Sequence, residues 1–111
     1  MKLFVIILNK VEYLEDLLSA LLEIGISGAT ILDSTGMGRV LTTQIPIFAG
    51  LRDAFPNATP VNKTVLVVAN EDQIDDVEIV LEEVCGDFEE QGVGIYFCVP
   101  LDFVKGLRRG Y

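Results

Sequence analysis

Leu3-Phe4-Val5-Ile6-Ile7-Leu8 is a run of six apolar residues rich in β-branching, and Thr64-Val65-Leu66-Val67-Val68-Ala69 repeats the pattern in the second half of the chain. A strand that faces water alternates apolar with polar; a strand apolar at every position is covered on both faces. The segment after each run is repeated as well. After the first, Asn9 with Glu12 three residues on forms an Asn version of the capping box, and Leu14, Leu17, Leu18, Leu21 and Leu22 share one face of an amphipathic helix. Gly25 sits where a left-handed residue ends that helix, and Ala29-Thr30-Ile31-Leu32, after Gly28, reads as a second strand. After the second run, Asn70 and Gln73 repeat the cap, Ile74, Val77, Leu81 and Val84 keep one helical face apolar, and Gly86 ends the helix. Ile95-Tyr96-Phe97-Cys98-Val99 supplies a fourth strand, stopped by Pro100.

Two successive β-α-β units predict an α+β fold of the ferredoxin-like kind: an antiparallel four-stranded sheet with both helices on one face. The fully apolar strands one and three belong at its centre. Their other face also needs a cover, which oligomerisation provides. A chain of 111 residues supports one core, so residues 1–111 are expected to form a single domain. Between the halves lies a long loop, residues 35–62, longer than a structureless connection in so small a domain, and loops of that kind are usually functional. Within it Pro46 stands at a possible short-helix start, with Ile47, Phe48, Leu51 and Phe55 on one side.

Composition narrows the function. Seventeen Asp and Glu against eight Lys and Arg give a net charge of −9, which disfavours nucleic acid and anionic lipid as partners. No histidine is present, so His-dependent triads and His-based zinc sites are excluded. Cys85 and Cys98 lack a CxxC spacing and read as reduced and buried. The first apolar run is broken by Asn9, Lys10 and Glu12 before a secretory core forms, and no stretch approaches the ~20 apolar residues of a membrane span. A cytoplasmic protein is expected.

Several segments could carry binding chemistry. Gly36-Met37-Gly38-Arg39 combines small residues, which let a ligand approach backbone N–H groups, with a cation for phosphate; a tight turn is the plainer reading. Gly92-Val93-Gly94 allows the same two readings. Ten of the seventeen acids lie between Glu71 and Glu90 with no Lys or Arg among them, either a solvated face or a hard-cation site, although no calcium-loop spacing is present. Lys105, Arg108 and Arg109 make a basic C-terminal tail, fit for an anion or for a neighbouring subunit's acidic helix. Ile47, Phe48, Leu51 and Phe55 offer either a partner-docking face or a patch for the protein's own sheet. No metal ligand set and no catalytic nucleophile–base pair emerges.

The order of parts resembles the PII signal-transduction (nitrogen-regulatory) family, small ferredoxin-like proteins, along almost the whole chain. Ile24-Gly25-Ile26-Ser27-Gly28-Ala29-Thr30, following Leu22 and Glu23, is similar to the family's I-G-I-x-G-x-T, and Gly36-Met37-Gly38-Arg39 to its G-F-G-R at the base of the long T-loop. Phe97-Cys98-Val99-Pro100 is similar to F-V-L-P, and Arg108 stands at the family's second C-terminal Arg. The resemblance implies a homotrimer with adenine nucleotide (ATP, ADP or AMP) in the clefts between subunits. Gly28 and Thr30 would meet the base, and Gly36, Gly38, Arg39, Gly92, Gly94 and Arg108 would hold phosphates. The long loop would then control a protein target, an enzyme or a transporter. Four departures stand out. The family's phosphate-binding G-D-G-K is Gly92-Val93-Gly94-Ile95 here, without its Asp and Lys. The first C-terminal Arg is Gly106, with Lys105 and Arg109 nearby. The Gln that helps hold magnesium and 2-oxoglutarate is Val40, and residues 35–62 contain no tyrosine to modify.

The resulting expectation is a non-catalytic regulator that responds to a small-molecule effector. The alternatives on the same fold are an ACT-like amino-acid sensor or a CutA-like metal-binding trimer, whose ligand would lack phosphate. An acylphosphatase-like hydrolase would need an arginine cradle after strand one, where the sequence has Asn9-Lys10-Val11.

Overall fold

In a computed structural model, which describes residues 1–44, 47 and 61–107, four strands form one sheet: β1 (Lys2–Leu8), β2 (Thr30–Ser34), β3 (Asn62–Ala69) and β4 (Gly94–Pro100). Their order is β2-β3-β1-β4 and every neighbouring pair is antiparallel. The two fully apolar runs are the central strands, as their composition requires. Helices α1 (Leu14–Glu23) and α3 (Ile74–Cys85) connect β1 to β2 and β3 to β4, each preceded by a 3-10 turn, Val11–Tyr13 and Glu71–Gln73. A short helical turn α2 (Met37–Arg39) runs into a π-helical turn, Val40–Gln44, after β2. This is the ferredoxin-like α+β architecture. The supposed short helix beyond Pro46 lies outside the described residues.

Both long helices pack on one face of the sheet. Phe4 and Ile6 of β1 and Val65 and Val67 of β3 meet Leu17 and Leu21 of α1 and Val77 and Leu81 of α3, all at 1% exposure or less. Each such side chain removed from water contributes about 1.5–3 kcal/mol, so this layer dominates the stability. The alternate residues point the other way. The register aligns Phe97, Val5, Leu66 and Thr30 across the four strands, with Val99, Leu3 and Val68 in one flanking row and Ile95, Ile7, Thr64 and Leu32 in the other. No helix covers that face among the described residues, and Ile95 remains 54% and Phe97 44% exposed.

Helix ends follow local chemistry. Gly25 takes φ +91, its N–H donates to the Leu22 carbonyl at 3.0 Å and the Ile26 N–H to the Leu21 carbonyl at 3.0 Å, a Schellman closure whose apolar pair, Ile26 and Leu21, is buried in the core. Asn70 and Gln73 form the expected capping box, with the Asn70 N–H donating to Gln73 Oε1 at 2.9 Å. The matching expectation at Asn9 and Glu12 is corrected: Lys10 occupies the position before the 3-10 turn and no side chain caps it. The Asn9 N–H instead donates to the Val93 carbonyl at 3.1 Å, which carries the chain one step further along the sheet. The cysteines are free, but only Cys85 is buried; Cys98, on the edge strand β4, is exposed, contrary to the expectation from its apolar context.

Candidate functional site

The C-terminal ends of β1 and β2 and the N-terminal ends of β3 and β4 share one end of the sheet, since Leu8 pairs with both Lys63 and Gly94 and Ser34 pairs with Asn62. Gly36, Gly38 and Arg39 lie there, immediately after β2. Gly36 is extended (φ −78, ψ 159), and its carbonyl accepts from the Val40 N–H at 3.2 Å. Thr42, 4% exposed, donates through Oγ1 to the Gly38 carbonyl at 2.7 Å and fixes the turn from below. Gly36 does not need a left-handed conformation, and a Cβ there would meet nothing closer than Asn62 Nδ2 at 3.7 Å. Neither backbone conformation nor steric exclusion therefore requires glycine at this position.

Asn62 is the residue that sequence reasoning missed. It is polar yet only 7% exposed. Thr64 Oγ1 donates to Ser34 Oγ at 2.8 Å, and Ser34 Oγ in turn donates to Asn62 Oδ1. That chain consumes the acceptor end of the amide and turns the donor end, Nδ2, toward Gly36. Beside it Lys63 pairs with Asp33, so this lysine reaches a ligand only by leaving its carboxylate. A lone Asn at a strand start gives no sequence signal; the relay exists only because β2 and β3 pair in this register.

Gly92 and Gly94 lie at the same end of the sheet on its opposite edge, three strand spacings from β2, or about 14 Å. Here the backbone itself demands glycine. Gly92 has φ +86 and Gly94 φ +143, and a Cβ on Gly94 would collide with the Ile7 carbonyl oxygen. The residue between them, Val93, is 1% exposed and packs with Leu8 and Cys85.

Gly28 and Thr30 sit at the other end of β2. Gly28 borders a cavity of about 250 Å³ on the helix side, between Leu18, Leu22 and Ile31. Thr30 faces the open side of the sheet, where Val104, Lys105, Gly106 and Leu107 fold back over Leu3, Leu66 and Val68 around a second cavity of about 280 Å³. Four residue steps along β2 separate Thr30 from Ser34, about 13 Å, so one chain does not bring the Gly28 and Thr30 group to the Gly36 to Arg39 turn. Arg108 lies outside the described residues, as do Phe48, Leu51 and Phe55; Ile47 is 82% exposed.

The described residues hold no group of three or more His, Cys, Asp or Glu side chains able to take a metal ion, and no helix among them is long and apolar enough to cross a membrane. Burial, and then the Glu82 carboxylate, push the Cys85 thiol up to about 11, which keeps it protonated at neutral pH.

No curated protein matches the chain. The family model for nitrogen regulatory protein P-II matches residues 1–111, from the first strand through the basic tail. With the ferredoxin-like sheet and the helical turn after β2 in place, the chain belongs to the nitrogen regulatory protein P-II family, whose members are regulatory signal-transduction proteins.

Proposed function

We propose that the protein is a non-catalytic cytoplasmic regulator that works as a homotrimer. It binds an adenine nucleotide, ATP, ADP or AMP, between subunits and controls a protein target, an enzyme or a transporter, through the long loop. The observation that carries this reading is the separation of the candidate groups: Gly28 and Thr30 lie about 13 Å or more from Gly36, Gly38 and Arg39 in one chain, beyond what hydrogen-bonding side chains close. A second copy seated on the open apolar face supplies the missing half. In that arrangement Gly28 and Thr30 meet the base, the Gly36 to Arg39 turn with Gly92 and Gly94 meets the phosphates, and Arg108 reaches across from its neighbour. The turn also begins the long loop, so a ligand that prefers one arrangement of the turn biases the loop.

The test is calorimetric titration with ATP, ADP, AMP, cyclic AMP and 2-oxoglutarate, with and without magnesium. Saturable nucleotide binding is expected, weakened about tenfold or more in Arg39→Ala through loss of one charge-assisted contact. Silence with every nucleotide, or an Arg39→Ala protein that binds as the parent does, overturns the reading.

A further inference from the structure

The helix side of the β4 edge carries a cavity of about 420 Å³ lined by Glu82, Phe88, Glu89, Gly94, Ile95 and Tyr96. Two of its walls are aromatic. Phe88 and Tyr96 meet edge to face, with ring centroids 4.8 Å apart, and both pack against the core between sheet and helices, which holds the rings in place. Tyr96 stands opposite the core residue Ile6 in the ladder, and so on the side of the sheet away from the open apolar face. Its hydroxyl donates to Glu82 Oε1 at 3.4 Å.

The charge around these rings is of one sign. Burial, and then the carboxylates of Glu82, Glu78 and Glu89, push the Tyr96 phenol upward from its ordinary value. No Lys or Arg occurs from residue 64 to residue 104, and Lys63 and the N-terminal amine pair with other acids, Asp33 and Glu71. Carboxylates alone would mark only a solvated face. The cavity and its aromatic pair set this place apart, because a guanidinium uses both at once: its planar fork pairs with carboxylates and its face stacks on a ring, whereas an ammonium meets them only as a point charge.

The shape favours a peptide over a free cation. β4 is an edge strand, paired only with β1 among the described strands, so the cavity opens along a row of backbone groups that no other strand takes. An extended segment covers such a row and presents the side chains of residues two apart to the same side. Glu82 also belongs to the outer face of α3, where Asp75, Asp76, Glu78 and Glu83 are exposed. The acidic surface therefore continues past the cavity and draws a basic segment toward it.

We propose that the β4-edge groove of Glu82, Phe88, Glu89 and Tyr96 docks an extended, arginine-bearing segment of a partner protein. This goes beyond the reading above: it gives the target a contact outside the long loop, on the side of the sheet away from the face assigned to a second copy, and it needs no bound nucleotide.

The test follows the backbone amides of the isotope-labelled full chain by NMR during titration with the capped peptide S-R-V-R-S, with S-K-V-K-S and with free arginine. Saturable shifts centred on Phe88, Glu89, Gly94 and Tyr96 are expected, with the arginine peptide about threefold or more tighter than the lysine peptide. Glu82→Gln combined with Glu89→Gln should weaken the arginine peptide about fivefold or more. Both acids are exposed, and an unchanged spectrum away from the groove checks that the fold is kept. The docking site is overturned by an absence of shifts, by shifts spread evenly along α3 with both peptides alike, or by a double variant that binds as the parent does. Free arginine binding as tightly as the peptide also overturns it, since the groove is then a small-molecule site. None of these outcomes bears on the nucleotide titration, and silence in that titration leaves this result standing.

Discussion

Gly94 illustrates how a single atom can be forbidden. Its φ of +143 and the Ile7 carbonyl against it leave no room for a side chain, with the carbonyl carbon only 3.3 Å from where a Cβ would stand. Gly94→Ala is expected to cost about 2–4 kcal/mol from overpacking and backbone strain together, lowering the thermal midpoint by about 10 °C or more. Gly36→Ala, by contrast, meets only Asn62 Nδ2 at 3.7 Å and should melt within about 2 °C of the parent. The same G-x-G pattern thus stands for two physical situations. At Gly92 and Gly94 the backbone explains the glycines, whereas at Gly36 it does not, and the buried Asn62 amide lies within van der Waals range of where a side chain would begin. Sequence alone treated the two turns alike because carbonyl approach and φ are properties of the folded chain.

The two halves share a strand, a 3-10 turn and a helix, and comparing them shows what caps a helix. Asn9 with Glu12 and Asn70 with Gln73 are the same pattern in sequence, but only the second pair closes a capping box. At Asn9 the backbone N–H is already taken by the Val93 carbonyl, so Glu12 has no donor to satisfy. Asn70→Ala should therefore destabilise the protein by about 1 kcal/mol in denaturant unfolding, and Asn9→Ala by a few tenths at most. Equal losses at both positions would refute this account. The helix periods, the Gly25 and Gly86 stops and the central placing of β1 and β3 were all legible beforehand, because they depend on spacing and composition. The exposure of Cys98 was not: its neighbours are apolar, but β4 is the edge strand, and edge position follows from sheet order.

The sheet as a whole has one sealed face and one open apolar face. Phe97, Val5 and Leu66 run across the middle of the open side, and Ile95 and Val99 flank them at 54% and 38% exposure. On the trimeric reading proposed above, this surface is where the copies meet. Phe97→Lys leaves the helix-side core untouched and is expected to yield monomers in light scattering, with a thermal midpoint that no longer rises with protein concentration. An unchanged oligomer would place the interface elsewhere.

By itself the sequence determined the α+β class, the order of elements, the two central strands and the absence of histidine chemistry, since these depend on local periodicity, composition and turn residues. Tertiary structure alone decided that the candidate ligand residues fall into separated groups, that Thr64 and Ser34 aim the Asn62 amide at Gly36, and that the acids of α3 and its following loop border an aromatic groove. Those facts arise from pairing between residues far apart in the chain. Register and sheet order bring such residues together, and neither is written in any short stretch of sequence.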